Sequence, residues 1–384
     1  MILISELKKE AAREKKQLIN FLRDIIRIKS PSGKEKEVSR RVYREMTSAG
    51  FDKVITSGYG SVIGRIGKGR KKILYDAHID TVAAGNIKNW KYNPYKAVYR
   101  NGIIYGRGAC DDKGSVAAMV ASVNLIRRLK LTEDYTLWVS ASAFEEEAQG
   151  KGIAEVIKIT GRPDYIVIGE PSGLKIIRGH KGRMGIKIST QGKSVHASIP
   201  EKGINAIYAM APLIEKAGRL NRSFRNNSVL GKSTVSVTKV ESGSASHNTI
   251  PDNCTMWLDR RTTEKETERK VMREMNILAG SRGRVEVLNR YFPAWIIDNR
   301  HPIVESAAET YEVIFGKKPE VKLWPFCTNG SYTMGEENIP TIGFGPGEEK
   351  MCHVTDECIR IEEVLKAMMF YALFPTILSG RAYK

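Results

Sequence analysis

At 384 residues the chain is long enough for two domains and a large core, and 41% hydrophobic with 27% charged residues is the composition of a soluble globular protein. No apolar run approaches membrane-spanning length, and no membrane partner is expected. The net charge is +19, with 19 Lys and Arg against 8 Asp and Glu in residues 1–72. Basic faces attract phosphate, yet no recognition motif or aromatic stacking series accompanies these charges, so they read as the outer face of amphipathic helices and no nucleic-acid partner is expected. The opening Met1-Ile2-Leu3-Ile4 meets charge at Glu6, Lys8 and Lys9, too soon for a signal peptide, and the expected location is cytoplasmic. Five scattered cysteines without a Cys-x-x-Cys pair fit reduced thiols.

Leu18, Phe21, Leu22, Ile25 and Ile26 form a helical stripe within 6–29, ended by Ser30-Pro31-Ser32-Gly33. Val38, Val42 and Met46 mark a second helix, stopped by Gly50. Short strands are expected at 52–56, 61–66 and 73–77, then a polar loop over 83–101 and a helix over 113–129. A strand at 136–143 leads to Glu145-Glu146-Glu147, and one at 165–168 leads to Gly169-Glu170-Pro171, with a helix at 151–160 between them. Interleaving on this scale predicts an α/β fold, a mostly parallel sheet flanked by helices. From 183 the texture changes. Segments 186–190, 234–240 and 255–259 alternate apolar with polar, and helices near 203–218 and 264–279 complete an α+β unit with one sheet face open to water. After 292 the α/β pattern resumes, with a strand at 341–344 and a closing helix at 361–373. The expected organisation is a discontinuous first domain, 1–182 plus 293–384, with 183–292 inserted.

Acidic residues or histidine stand at five places after these strands: His78/Asp80, Asp111/Asp112, Glu145/Glu146/Glu147, Glu170 and His353. Residues two apart on an extended chain project together, so Asp80 can take one ring proton of His78 and fix its tautomer while the other nitrogen faces a metal. Ligands bind beyond the carboxyl ends of parallel strands, and five such ends would converge on one rim. Carboxylates crowded there repel one another unless cations neutralise them, and two histidines among them suit Zn, Co or Mn. Two ions about 3.5–4 Å apart could share a carboxylate and a water, acidify that water and polarise a carbonyl. A nearby carboxylate off the metal could carry the proton.

These stretches resemble the M20 metallohydrolases, the family of acetylornithine deacetylase, succinyl-diaminopimelate desuccinylase, carboxypeptidase G2 and aminoacylase-1. The matching residues are His78-Ile79-Asp80-Thr81-Val82, Gly106-Arg107-Gly108-Ala109-Cys110-Asp111-Asp112-Lys113-Gly114, Glu145-Glu146, Gly169-Glu170-Pro171 and His353, in the family's order across nearly the whole chain. Arg178 to Met184, Asn205-Ala206-Ile207-Tyr208 and Thr328-Asn329-Gly330 are similar to one subgroup, the YgeY-type hydrolases linked to selenium metabolism. The resemblance implies a zinc-peptidase-like catalytic domain with an inserted lid and dimerisation domain, two divalent ions per subunit, and hydrolysis of an amide bond. His78 and Glu170 would hold one metal, Glu146 and His353 the other, and Asp111 would bridge them. Asp80 would orient His78, and Glu145 would be the general base; the shifted pair Glu146/Glu147 stays open. The bridging aspartate's following peptide, Asp111–Asp112, would be cis.

The same resemblance makes His196 an oxyanion partner reaching across a homodimer, and makes Asn248, Arg261, Asn329 and Gly330 substrate contacts for a small carboxylate-bearing amide or peptide. Without it, Arg260 and Arg261 read as a solvated pair at a strand end. His180, His247 and His301 are left as surface or supporting residues, and Cys110 and Cys352 as small buried ones. The expected activity is deacylation of an N-acyl amino acid or cleavage of a small peptide. A dipeptidase or aminopeptidase is the alternative enzyme, and a non-catalytic basic binding protein the alternative of another class.

Overall fold

A computed structural model describes residues 2–132, 134–148, 150–244 and 246–380. It separates into two compact units. One comprises Met1–Gly179, Ile296–Trp324 and Thr328–Lys384, the other His180–Trp295 with Pro325–Cys327. Among the described residues no helix is long and apolar enough to cross a membrane.

The first unit is built on strand Lys71–His78, whose last six residues are all buried. A strand covered on both faces needs apolar residues at successive positions, and Ile-Leu-Tyr supplies them. Tyr135–Ser142 pairs with it in parallel on one side, with His78 opposite Ser142. Tyr165–Ile168 pairs in parallel on the other, with Asp76 opposite Ile168, and Thr341–Gly343 continues the parallel set. Across the sheet the order is Lys53–Thr56, Val62–Ile66, Tyr135–Ser142, Lys71–His78, Tyr165–Ile168, Thr341–Gly343, Ile176–His180. The first two strands and the last are antiparallel to their neighbours. The sheet is therefore the mostly parallel one expected, and the carboxyl ends of its four middle strands share one rim.

Helices Lys113–Arg128 and Ile361–Leu378 pack on each other and are buried along almost their whole length. Phe370 of the closing helix stacks on Phe344, ring centroids 3.7 Å apart. Burying side chains of this size contributes about 1.5–3 kcal/mol each, so the closing helix is a core element. The segment expected as a polar loop over 83–101 ends in a small antiparallel sheet of Val98–Arg100, Ile103–Tyr105 and Cys358–Arg360. Its third strand comes from more than 250 residues away, which local periodicity does not reveal.

In the second unit an antiparallel sheet runs Thr234–Ser242, Asn253–Thr262, Gly182–Gln191, Gly283–Val287. The two middle strands alternate buried with half-buried residues. Met184, Ile186, Ile188, Met256 and Leu258 meet Met210, Leu213, Val271 and Met275 of helices Ala206–Ser223 and Glu268–Ala279 in one core.

Candidate metal centre and the second unit's polar residues

His78 ends its strand with the ring buried. Its Nδ1–H donates to the backbone carbonyl of Asp80 at 2.9 Å, with the Asp80 carboxylate 3.6 Å away. This leaves Nε2 facing Asp111 Oδ1 at 2.9 Å and Glu170 Oε1 at 3.8 Å. The Asp80 carboxylate is meanwhile committed elsewhere. It accepts from the backbone N–H groups of Glu145 and Glu146 and from Ser32 Oγ at 2.6 Å. Asp80 thus ties the His78 strand to the turn that carries the glutamates, and its pKa is lowered because the hydrogen bonds and the His78 charge outweigh burial.

Asp111 sits before helix Lys113–Arg128, and the Asp111–Asp112 peptide is cis, as the family resemblance implied. Asp112 is buried at the helix N-cap and its side chain makes no capping hydrogen bond. The loop leading to Asp111 is clamped by Glu357, a residue that sequence reading passed over. Its buried carboxylate accepts from Arg107 Nη1 at 2.6 Å and from the backbone N–H groups of Gly108, Cys110 and Asp111 at 2.8–3.0 Å. Lys113, equally buried, donates to the carbonyls of Ile25 and Ile28 at 2.8 and 3.0 Å, tying the loop to the end of the first helix.

Glu145, Glu146 and Glu147 form a single-turn helix, Glu145–Ala148, after the strand. They grade outward: Glu145 is 5% exposed, Glu146 half-buried, Glu147 exposed. Glu170 follows Gly169, where an added Cβ would come within 2.8–3.0 Å of Ser115, Ala77 and Met119, so glycine is required for the turn. His353, 52% exposed and in the left-handed region at φ 59°, brings Nε2 to 3.2 Å from Asp111 Oδ2 and 3.1 Å from Glu146 Oε2. His78, Asp111, Glu146, Glu145 and Glu170 accordingly offer two overlapping groups of three donors with all atoms within 4.8 Å.

The electrostatics ask for cations. Burial, then the charges of Asp111 and Glu145, push the Glu170 pKa well up; burial, then Glu146, Asp80 and Asp111, do the same for Glu145. Burial alone would pull His78 down, but the hydrogen bonds to Asp111 and Asp80 raise it well above the usual imidazole range. The side-chain bonds to Asp111 and Glu146 raise His353 to about 10. Glu145 Oε1 is buried with no hydrogen-bond partner among the described residues. Imidazole and carboxylate donors crowded in one buried place, one of them unsatisfied, fit divalent metal.

Asn329 is 3% exposed; its amide donates to Asp76 at 2.9 Å and accepts from the Gly150 N–H at 2.8 Å. It braces the strand before His78 against the turn after the glutamates, and Gly330 follows it, donating its N–H to Thr328 Oγ1. In the second unit His196 is exposed, with the Asn248 amide 3.2 Å from Nε2 and the Ser198 hydroxyl 2.7 Å from Nδ1. Arg261 forks onto Asp259, Nε at 2.6 Å and Nη2 at 3.2 Å, and Arg183 shares that carboxylate. Arg260 is not the solvated residue expected. It is 0% exposed, its guanidinium lying over the Phe224 ring at 4.3 Å and paired with Glu266 and Glu274. His180 is buried against Trp295, and His301 caps helix Pro302–Phe315 by accepting from Ile303 N–H.

A parallel-sheet rim carrying these donors defines a metal-dependent hydrolase, and comparison with known proteins agrees. The sequence pattern of peptidase family M20/M25/M40 matches residues 74–376, and the chain belongs to that family, hydrolases of amide and peptide bonds. A protein of Escherichia coli strain K12, "Uncharacterized protein YgeY", is 37% identical over 376 residues, 93% of either chain. The "Probable succinyl-diaminopimelate desuccinylase" of Staphylococcus aureus strain MSSA476 is 25% identical over 395 residues, 91% of this chain and 95% of its own. The fold is that of the M20 family metallo-carboxypeptidase Sso-CP2 from Sulfolobus solfataricus, with a TM-score of 0.79 at 18% identity over 96% of this chain and 99% of that one.

Proposed function

We propose that the protein is a cytoplasmic homodimer that cleaves the amide bond of a carboxylate-bearing N-acyl amino acid or small peptide with two divalent ions, zinc first and cobalt or manganese as substitutes. The observation that carries this is the division of Asp111: one carboxylate oxygen faces His78, the other His353. His78 and Glu170 would hold one ion and Glu146 and His353 the other, with Asp111 offering an oxygen to each. Bound there, such ions would supply an acidified water and polarise the scissile carbonyl.

Glu145 takes the water's proton and passes it to the leaving nitrogen. Its burial beside the ligands keeps it from competing waters. The outward grading of the three glutamates favours Glu145 as base and Glu146 as ligand over the shifted pair. In the 183–292 lid, His196 supports the oxyanion of the partner subunit's site, and Arg261 with Asn248 receives the substrate carboxylate. Guanidinium and carboxylate match as a fork, and Arg261 already holds Asp259 in that way. The desuccinylase relative supports an acylated amino acid as substrate.

The test is hydrolysis of a panel of N-acyl amino acids and dipeptides after metal removal and reconstitution with Zn, Co or Mn. Activity that a chelator abolishes and metal restores is expected. Metal-loaded protein that cleaves none of the panel would sink the reading, and preference for substrates with a free amine would turn it toward a dipeptidase.

A further inference from the structure

The first unit carries a cavity to which the reaction assigns nothing. It has a volume of about 790 Å³ and is lined by one face of helix Lys36–Ser48, by the turn at Gly58–Gly60 and by Phe144. None of the candidate metal ligands lines it. Tyr59 and Phe144 meet edge to face at 5.8 Å, and the Lys151 ammonium lies 4.7 Å from one ring centre and 5.3 Å from the other. Tyr43 adds a third ring, 40% exposed. Lys36, Arg40 and Arg44 stand along the helix face. Arg40 pairs with Glu37, whereas Arg44 makes only a backbone bond and Lys36 no bond among those described. The acid in the lining, Glu35, is buried and turned onto the Phe144 N–H.

We infer that this cavity binds a planar organic anion, its ring between Tyr43, Tyr59 and Phe144 and its carboxylate or phosphate on Lys36 and Arg44. The volume is that of a small-molecule site. Aromatic walls bind a flat ring by offset and edge contacts, and uncompensated cations at the mouth select a negative group. These cations belong to the basic excess of residues 1–72, which no nucleic-acid motif explained. Phe144 sits at φ 62°, a region few non-glycine residues adopt, and is followed directly by Glu145. An occupant pressing on that ring therefore acts on the turn that presents the base, and its effect falls on kcat rather than on competition for substrate.

The metal-loaded protein would be titrated calorimetrically with adenosine 5′-monophosphate, with 4-hydroxybenzoate, and with uncharged adenosine. Binding of either anion, at least tenfold tighter than adenosine, is expected; which anion binds separates a phosphate from a carboxylate ligand. Arg44→Ala with Lys36→Ala should weaken it at least tenfold without altering turnover in the absence of anion, and Tyr59→Ala should weaken it as well. Glu146→Gln should leave it intact. The proposal is overturned if neither anion binds at 5 mM, if binding follows Glu146→Gln or metal removal instead of Arg44 and Lys36, or if inhibition is purely competitive with substrate.

Discussion

The rim residues of the first unit and the polar residues of the second make contrasting sites. His78, Asp111 and Glu145 are buried and held by hydrogen bonds that already point their functional atoms inward. His196 and Asn248 are exposed and lean on each other, and Arg261 is occupied by Asp259. The first is a preorganised centre, where burial and like charge prepare a cation site. The second is a set of groups whose hydrogen bonds run to one another or to Asp259, and the proposed function would require those bonds to open before these groups met a substrate.

The sharpest test of the preorganised centre is Glu145→Gln. Loss of the base should lower kcat at least a hundredfold, the low end of the roughly 10²–10⁴ that general bases contribute, with metal content unchanged. Metal loss there, with retention in Glu146→Gln, would move the register by one residue. Next comes Glu357→Ala. Breaking a buried pair leaves Arg107 uncompensated at a cost of about 3–5 kcal/mol, so the melting temperature and the metal affinity should fall together. Unchanged metal affinity would mean that the Asp111 loop holds itself.

For the second region, His196→Ala should cost on the order of 3–4 kcal/mol in transition-state stabilisation, as for other oxyanion donors. Mixed with the Glu145→Gln protein under proven subunit exchange, it should regain part of the activity, since one site of each heterodimer is native. No recovery would remove the trans assignment. Arg261→Lys should reduce kcat/KM by roughly tenfold, because an ammonium cannot copy the fork. Converting the substrate carboxylate to an amide should then hurt the wild type far more than Arg261→Ala; equal penalties would free Arg261 from that role.

The smallest effect concerns pH. Burial raises the Glu266 pKa, but the Ser233 hydroxyl, the Arg260 charge and the Thr263 N–H outweigh it, so the folded value lies below the ordinary glutamate range. A carboxyl depressed in the folded state contributes stability that is full above its unfolded pKa and lost as pH falls through the folded one. Glu266→Gln should cost about 1 kcal/mol near neutrality, since Glu274 still pairs with Arg260, and should unfold with a shallower dependence on pH below about 4.5. Parallel acid curves for the two proteins would show that Glu266 does not contribute.

His78 and Asp80 could be read from the chain because strand periodicity puts residues two apart on one side, and the Gly106–Gly114 stretch because its residues adjoin in sequence. The parallel rim followed from strands that lead directly into acids. Glu357 was invisible because its meaning lies in donors 246 to 250 residues away. Arg260 looked solvated because the groups that enclose it, Phe224 and the carboxylates of Glu266 and Glu274, lie 6 to 36 residues away in the chain. Asn329 carried a motif resemblance, but its two amide contacts, to Asp76 and Gly150, depend on the tertiary arrangement.

The Glu357 clamp also dictates an order of events at the ribosome. When His78, Asp111, Glu145 and Glu170 have all emerged, the carboxylate that gathers the Asp111 loop has yet to be synthesised, as has the strand Cys358–Arg360 that zips onto Ile103–Tyr105. Long-range closures of this kind come late in folding. A nascent chain arrested before residue 357 should therefore leave its Gly106–Asp111 segment open to proteolysis, and the cell's metal supply would meet a gathered Asp111 loop only after Glu357 had emerged.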